Sequence, residues 1–361
     1  RFLVNPSRSA RSKMRSACVW RTKMNVVPEK LSAKDFATDQ EVRWCPGCGD
    51  YAILKGVLGV LPEINVPREN IVFVSGIGCA ARFPYYVKTY GFHSIHGRAP
   101  AFATGIKLAN PELDVWVVAG DGDGLSIGGN HLLHLLRRNV DVQFLLFNNE
   151  IYGLTKGQNS PTSRKGTKTP STPMGSLANP VSACVFALGA GGRFIGRTVD
   201  TMQKHLPPLL LRAHDHKGAS FVEIIQNCIV YNDGVFDYFT DKALAADNQI
   251  HVEHGKPLIF GSENNKGLKI NTTTLELEVV TVGANGITER DVLIHDETNR
   301  TLAGLLARME PPEFPKALGV IYCDPEPTYD GALSSRVSDE RADDPMVRFN
   351  DRLRKGHTWT V

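Results

Sequence analysis

The chain has 361 residues, 42% of them hydrophobic and 22% charged, and a formal net charge of +3. A chain of this length can bury a substantial core, and it predicts one large or two modest domains. Its apolar runs all have fewer than ten residues, whereas a membrane-spanning helix needs about 20. We therefore predict no membrane segment.

The positive charge comes from the N-terminal segment, residues 1–29. Seven basic residues precede the first acidic residue, Glu29, and the rest of the chain has a net charge of −4. Such a stretch fits an organelle transit peptide, a nucleic-acid-binding arm or an upstream extension before Met24, and we interpret it as the last. No later segment makes the basic, aromatic-rich surface that nucleic acid needs, so we predict no nucleic-acid role.

Residues 30–240 alternate short apolar runs with helical patterns. The predicted strands are 71–75, 114–120, 142–148 and 220–226. The predicted helices are 99–109, 126–138, 177–190 and 200–213. Because the strands are nearly continuous apolar runs, they are expected to be buried on both faces. The pattern predicts an α/β fold with a doubly wound parallel sheet, whose ligands bind at the carboxyl ends of the strands.

Two further segments differ in character from these repeats. Residues 155–180 are rich in Ser, Thr, Pro and Gly, as in a functional lid or a disordered loop. Residues 241–361 show weaker strand patterns and a helix near 300–309. We expect this last part to be a smaller C-terminal extension of unknown role, following a cofactor-binding domain at 30–240.

Cys45 and Cys48 form a C-x-x-C turn just before an apolar helical stretch. Two such thiols could pair with each other, hold zinc with further ligands, or hold an iron–sulfur cluster. The seven cysteines have mostly wide spacings and no signal-peptide core accompanies them, which argues against a secreted disulfide framework. We therefore predict a reducing, cytoplasmic compartment.

A second motif follows two of the predicted strands. Gly120, Asp121 and Gly122 come directly after one strand, and Asn149 comes directly after the next. Carboxylate and amide oxygens on adjacent strand ends suit Mg²⁺, which commonly joins protein oxygens to phosphates. The glycines let backbone N–H groups approach a diphosphate closely.

These motifs together resemble a known family. G-D-G followed by N-N is the Mg²⁺–thiamine diphosphate motif, and WCPGCGDY, GIGC, IHGRA, ATGIKLANP and NNEIYGLTKGQ are similar to β subunits of 2-oxoacid:ferredoxin oxidoreductases. The resemblance covers about residues 30–240. The later stretches PLIFG, HDE, PEFP and TWTV are similar to the longer β subunits of 2-oxoglutarate:ferredoxin oxidoreductases.

The resemblance implies thiamine diphosphate bound through Mg²⁺. The implied Mg²⁺ ligands are Asp121, Asn149 and the carbonyl of Ile151. The implied cofactor contacts are Ile77, Gly78, Cys79, Ala80, His96, Gly120, Asp121, Gly122, Asp123, Gly153 and Leu154. Lys156, just past that loop, is a catalytic candidate that could pair with the substrate carboxylate, unless it is an ordinary solvated lysine.

The resemblance also implies a [4Fe-4S] cluster held by Cys45, Cys48, Cys79 and Cys228. Four thiolates satisfy structural zinc equally well. Zinc ribbons usually pair two C-x-x-C turns, however, and this chain has one. Cys79 is also expected to face the cofactor, where an electron acceptor is useful. We therefore predict the cluster rather than zinc.

The implied activity is oxidative decarboxylation of a 2-oxoacid to an acyl-CoA, with electrons passing through the cluster to ferredoxin, or the reverse carboxylation. The expected substrate is 2-oxoglutarate, and the alternative is pyruvate or a broad range of 2-oxoacids. A non-oxidative thiamine enzyme would not need the four cysteines, and a zinc-stabilised binding module would not need the Mg²⁺ motif.

The resemblance implies a partner as well. Thiamine enzymes use a glutamate beside the aminopyrimidine ring, but Glu150 is expected at the diphosphate end and Glu223 in the middle of a strand. A larger alpha subunit is expected to supply that glutamate with a pyrimidine-binding domain, in an (alpha-beta)2 heterotetramer.

Overall fold

The computed structural model describes residues 31–339 and 345–356, and the extension predicted at 1–29 lies outside them. The strands, in chain order, are β1 (Ile71–Ser75), β2 (Tyr90–His93), β3 (Asp114–Gly120), β4 (Gln143–Asn148), β5 (Ile151–Tyr152), β6 (Gln158–Asn159), β7 (Phe194–Val199), β8 (Ser220–Ile225), β9 (Gln249–Val252), β10 (Ile259–Phe260), β11 (Lys266–Ile270), β12 (Leu277–Thr281) and β13 (Lys316–Cys323).

The helices of the same residues are α1 (Asp50–Val60), α2 (Ala99–Ala109), α3 (Gly129–Arg138), α4 (Ala183–Gly189), α5 (Leu206–Asp215), α6 (Asp237–Thr240), α7 (Ala245–Asn248), α8 (Arg300–Arg308), α9 (Tyr329–Asp339) and α10 (Pro345–Arg354). A short π-helical turn at Asp123–Ile127 precedes α3. No helix in the described ranges is long and apolar enough to cross a membrane.

An eight-stranded sheet in the order β2-β1-β3-β4-β8-β7-β13-β9 is the centre of the fold. The strands from β2 to β7 in that order run parallel, whereas β13 is antiparallel to β7. The four strands predicted from apolar runs, β1, β3, β4 and β8, are neighbours in this sheet, and their side chains are almost all buried. The predicted doubly wound, mostly parallel sheet is therefore confirmed.

The topology fixes where a ligand can bind. The chain passes from β1 to β2 on one side, while β3, β4 and β8 extend the sheet on the other side. The order therefore reverses between β1 and β3. A crevice opens outside the carboxyl ends of the strands at such a reversal, and ligands of doubly wound sheets bind there.

One predicted helix matches the observed bounds, and another begins later than predicted, just before two prolines. Helix α2 covers the predicted residues 99–109, but α5 begins at Leu206 rather than at residue 200. Its next two residues are Pro207 and Pro208, and proline is favoured in the first turn of a helix, where its missing N–H costs nothing. Asp200 instead lies before the helix, and its carboxylate accepts a hydrogen bond from the Asn227 amide.

The chain beyond residue 240 contributes to the same sheet. Strand β13 pairs with β7, and β9 pairs with β13. A second, antiparallel sheet is formed by β10, β11 and β12. Helix α8 packs its buried residues Leu302, Ala303 and Leu306 into the main hydrophobic core. The boundary expected at residue 240 stays a prediction, and the residues after it complete one edge of the sheet.

Candidate functional site

A cavity of about 90 Å³ lies outside the carboxyl ends of β1, β3 and β4, where the strand order reverses. Its lining includes the predicted cofactor contacts Ile77, Gly78, Cys79, Ala80, His96, Gly120, Asp121, Gly122, Asp123, Gly153 and Leu154. Asn149 and Ile151, which were predicted as Mg²⁺ ligands with Asp121, line it too, as do Asp50, Phe147, Tyr152 and Thr155. The fold thus brings residues from five separate stretches of sequence to one place.

Asp121 is a buried carboxylate at the end of β3, with 2% of its surface exposed. Its Oδ2 accepts hydrogen bonds from the hydroxyls of Ser160 and Thr162, both at 2.5 Å. Burial nevertheless raises the pKa of Asp121 to about 6, since the hydroxyls only partly offset the loss of water. A buried carboxylate with a raised pKa gains the most when a cation binds beside it.

Asn149 also lines the cavity, at the start of the loop after β4. Its Nδ2 donates to Gln226 Oε1 at 2.8 Å, and its Oδ1 accepts from the Ile151 amide at 3.2 Å. This arrangement commits the nitrogen of the amide to the protein. The oxygen keeps a lone pair for a cation, as the predicted Mg²⁺ role requires.

Asp123 organises the other side of the cavity. Its Oδ1 accepts from the backbone amides of Ile77 and Gly97, at 3.1 and 2.7 Å. His96 Nδ1 lies 2.6 Å from the same oxygen, and the His96 side chain is 40% exposed. This contact directs Nδ1 to the protein and leaves Nε2 for a second partner. Asp123 is therefore a positioning group for the loops after β1 and β2.

Two glycines around the cavity cannot be replaced without displacing these groups. A Cβ on Gly122 would lie 2.2 Å from the Tyr152 ring, and a Cβ on Gly76 would lie 2.1 Å from Asp123 Oδ2. Contacts this short do not occur in folded proteins. The close approach of backbone to side chain explains why the turns after β1 and β3 are rich in glycine.

The four predicted cluster cysteines converge next to this cavity. A Cβ built on Gly153 would lie 3.5 Å from Cys228 Sγ and 3.6 Å from Cys79 Sγ. The distance between the two sulfurs therefore cannot exceed the sum of these two distances. Cys45 and Cys48 are joined by a turn in which the Cys48 amide donates to the Cys45 carbonyl at 3.0 Å. Helix α1 begins directly after this turn.

The surroundings of Cys48, Cys79 and Cys228 favour the neutral thiols. Burial, and then the Asp50 carboxylate, raise the pKa of Cys48 and raise that of Cys79 to about 12. Cys79 and Cys228 also raise the pKa of Cys48 through their own charges, and Cys45 does the same to Cys79 and Cys228. Thiolates at these three positions would therefore be stabilised by a nearby positive charge.

Among the described residues, no group of three or more His, Cys, Asp or Glu side chains is arranged to hold a single metal ion. This holds for the four predicted cluster cysteines and for the predicted Mg²⁺ ligands, of which only Asp121 has an acidic side chain.

Some predicted residues lie elsewhere, and some functional residues were missed. Lys156 follows the cavity loop, is exposed and has a left-handed backbone with φ +74°, but it is not in the cavity lining. Ser160 and Thr162, which hold Asp121, come from the segment predicted as a lid or disordered loop. Gln226 was also missed, although it lies two residues before the predicted cluster ligand Cys228.

Comparison with known proteins identifies the family. Residues 76–224 match the thiamine pyrophosphate enzyme C-terminal TPP binding domain. The chain is 49% identical over 339 residues to 2-oxoglutarate oxidoreductase subunit KorB of Mycobacterium tuberculosis, covering 92% of this chain and 89% of that protein. It is 47% identical over 198 residues to subunit beta of 2-oxoacid:ferredoxin oxidoreductase 1 of Aeropyrum pernix, covering 55% of this chain and 62% of that subunit.

A solved structure agrees with these sequence matches. The 2-oxoglutarate:ferredoxin oxidoreductase from Magnetococcus marinus, solved with 2-oxoglutarate, coenzyme A and succinyl-CoA bound, superposes with a TM-score of 0.73 at 30% identity. The match covers 91% of this chain and 97% of that one. The resemblance and the thiamine diphosphate-domain fold predicted from sequence are both confirmed. The chain therefore belongs to the family of β subunits of 2-oxoacid:ferredoxin oxidoreductases, which are enzymes.

Proposed function

We propose that this β subunit acts on 2-oxoglutarate and holds thiamine diphosphate through Mg²⁺ in the cavity at the strand-order reversal, with a [4Fe-4S] cluster beside it. The observation that carries the proposal is the common cavity: all the predicted cofactor contacts and Mg²⁺ ligands line it. The choice of 2-oxoglutarate is supported by the M. tuberculosis and M. marinus proteins, whose names specify that substrate.

The cofactor half of the site fits a Mg²⁺–diphosphate group. Asp121, the Asn149 amide oxygen and the Ile151 carbonyl would supply oxygen ligands, the donor type that Mg²⁺ prefers. The glycine-rich backbone from Gly120 to Gly122 would approach the diphosphate, and the His96 ring, which Asp123 positions, would lie beside it. When bound, thiamine diphosphate supplies the decarboxylation chemistry. The residues of the chain would hold the Mg²⁺, whose charge would offset that of the diphosphate, and would orient the cofactor.

The cysteine half of the site fits a cluster. Each of the four cysteines, Cys45, Cys48, Cys79 and Cys228, would give one thiolate. Because Gly153 has no side chain, the space beside the sulfurs of Cys79 and Cys228 is free. When bound, the cluster supplies a one-electron acceptor, whose electrons would pass on to ferredoxin. Cys79 lines the cofactor cavity as well, so this one residue would contact both groups.

The same geometry supports a requirement for an alpha subunit. No glutamate among the described residues lines the cavity. Glu150 is paired with Arg164 at 2.9 Å, and Glu223 is paired with Arg197 at 2.7 Å, so both are engaged elsewhere. Apolar side chains around the opening are exposed, including Ile95, Ile127 and Leu154. A partner that covers them would bring the pyrimidine-side glutamate, and an (alpha-beta)2 heterotetramer satisfies this.

Other features support the remaining parts of the proposal. The predicted site residues all fall within residues 30–240, which we propose as the catalytic domain. The six cysteines of the described residues are unpaired, which suits a reducing compartment such as the cytoplasm.

The test is anaerobic purification of this chain with and without its alpha subunit. We expect the complex to be brown, to contain iron and acid-labile sulfide, and to reduce ferredoxin with 2-oxoglutarate and CoA. The isolated chain should bind thiamine diphosphate weakly and should not decarboxylate. A complex that prefers pyruvate would overturn the substrate assignment, and a colourless, zinc-containing complex would overturn the cluster.

A further inference from the structure

The side chain of Gln226 lies between the two proposed groups. It follows β8 directly, and 1% of its surface is exposed. Its Oε1 accepts from Asn149 Nδ2 at 2.8 Å. Its Nε2 lies 3.1 Å from Cys48 Sγ and 2.8 Å from the Asn227 carbonyl oxygen. A single buried amide therefore contacts one Mg²⁺ ligand and one cysteine of the proposed cluster.

The contacts fix the orientation of this amide. Both hydrogens on Nε2 have acceptors, namely a carbonyl oxygen and a sulfur that carries no hydrogen when it is a ligand. Reversing the amide would place Oε1 against those two acceptors and would leave Asn149 Nδ2 without a partner. Leaving buried polar groups unpaired costs free energy, so the observed orientation is strongly preferred.

The contact with Asn149 decides which atom of that residue can reach a cation. An asparagine amide presents either nitrogen or oxygen, and only the oxygen can bind Mg²⁺. Because Gln226 accepts from the nitrogen, the oxygen is the atom left for the cation. Outer contacts of this kind orient metal ligands, and their loss typically weakens metal binding by about 10- to 100-fold.

The hydrogen bond to Cys48 affects the negative charge on the Cys48 sulfur. An N–H group that donates to a ligand sulfur stabilises negative charge on it, and the cluster becomes more negative when it is reduced. Hydrogen bonds to the sulfurs are among the factors that set the reduction potential of iron–sulfur clusters. The Gln226 amide therefore favours the reduced cluster and raises its potential.

We propose that Gln226 is a positioning residue shared by both sites, which orients Asn149 for Mg²⁺ and raises the reduction potential of the cluster through Cys48. The inference rests on the proposed function, because it assumes both groups. It makes one side chain responsible for two measurable properties that otherwise belong to separate cofactors.

The test is Gln226→Met in the anaerobically purified complex, because methionine has a similar length and no polar hydrogen. We expect a lower midpoint potential in a redox titration followed by electron paramagnetic resonance. We also expect the Mg²⁺ concentration for half-maximal thiamine diphosphate binding to rise about tenfold, measured by calorimetry.

Gln249→Met is the matched control. Gln249 is also buried, and its Nε2 donates to the Phe239 carbonyl at 2.7 Å, away from both sites. The control should lose stability without changing the potential or the Mg²⁺ requirement. A wild-type potential in Gln226→Met would overturn the Cys48 part of the inference, and a wild-type Mg²⁺ requirement would overturn the Asn149 part.

One measurement does not depend on the variants being folded. With ¹⁵N in the side-chain amides of glutamine, pulsed electron paramagnetic resonance of the reduced wild-type cluster should detect one weakly coupled nitrogen. Its absence would overturn the contact with Cys48. A wild-type complex that contains no iron and sulfide would overturn the proposed cluster and the inference with it, whereas a normal cluster without this coupling would overturn the inference alone.

Discussion

Replacing Asp121 with asparagine should stabilise the protein when no metal is bound. Both hydroxyl donors, from Ser160 and Thr162, bond to the same carboxylate oxygen, so an asparagine oxygen can accept them both. The substitution removes the ionisation of a buried group and keeps an acceptor for both hydroxyls. It should also remove Mg²⁺ binding, because the amide carries no negative charge to offset the dehydration of the cation.

The size of the effect follows from the pKa of Asp121, which burial raises from 3.8 to about 6. A carboxyl whose pKa is higher in the folded state opposes folding as it ionises. The penalty is absent below pH 4 and complete above about pH 7. Since each pKa unit corresponds to about 1.4 kcal/mol, Asp121→Asn should add up to about 3 kcal/mol to the free energy of unfolding at pH 8, and about half of that at pH 5.

The assay is urea unfolding of the full-length chain in EDTA between pH 5 and pH 8, for wild type and variant. The stability difference should grow with pH. Adding Mg²⁺ and thiamine diphosphate should stabilise the wild type alone, since a ligand that binds only the folded state raises its stability. Wild-type Mg²⁺ affinity should fall below about pH 6, as protons compete for Asp121.

Asp123→Asn is the matched control for this experiment. Asp123 accepts two backbone amides and His96 Nδ1 on one oxygen, so losing its charge should destabilise the protein by about 2 kcal/mol. At pH 8 in EDTA, Asp121→Asn should be more stable than Asp123→Asn. If the two variants were equally unstable, burial would not oppose ionisation of the Asp121 carboxylate, and the reasoning would be wrong.

Three other substitutions test the rest of the site. Cys228→Ser should lose the visible absorbance of the cluster and its iron, whereas Cys323→Ser should keep both; equal iron in the two variants would contradict the ligand assignment. Gly153→Ala places a methyl group in contact with Cys79 and Cys228, so iron per chain should fall while the melting temperature of the iron-free protein stays the same. Lys156→Gln should raise the KM for 2-oxoglutarate about tenfold if its ammonium pairs with a substrate carboxylate, and an unchanged KM in steady-state assays would show that it is a solvated lysine.

Strands made almost entirely of apolar residues could be predicted from sequence. Strands β1 and β3 have the predicted bounds, because almost all of their positions are buried and the apolar run shows this directly. Strand β7 was missed because Arg197 lies within it. That arginine is 1% exposed and forms an ion pair with Glu223 on the neighbouring strand. A charge that is paired across a sheet looks like a surface residue until the pairing is known.

In the candidate site, too, some residues could be predicted from sequence and others could not. Asp121 and Asn149 could be found because they directly follow strands, and strand ends meet at one edge of a parallel sheet. The hydroxyls of Ser160 and Thr162 could not, because they reach Asp121 through a segment whose composition is that of a loop. Gln226 looks like an ordinary polar residue after a strand, and only its contacts on both sides distinguish it.

The antiparallel strand β13 has a consequence for synthesis of the chain. It pairs with β7, and Arg197 of β7 also donates to the carbonyl of Ala317, 120 residues further along. At about 5–20 residues per second, a ribosome needs on the order of ten seconds to make that interval. Until then β7 is an open sheet edge, a template for pairing with other chains. We expect the nascent subunit to depend on chaperones at this stage, and to be most prone to aggregation before β13 emerges.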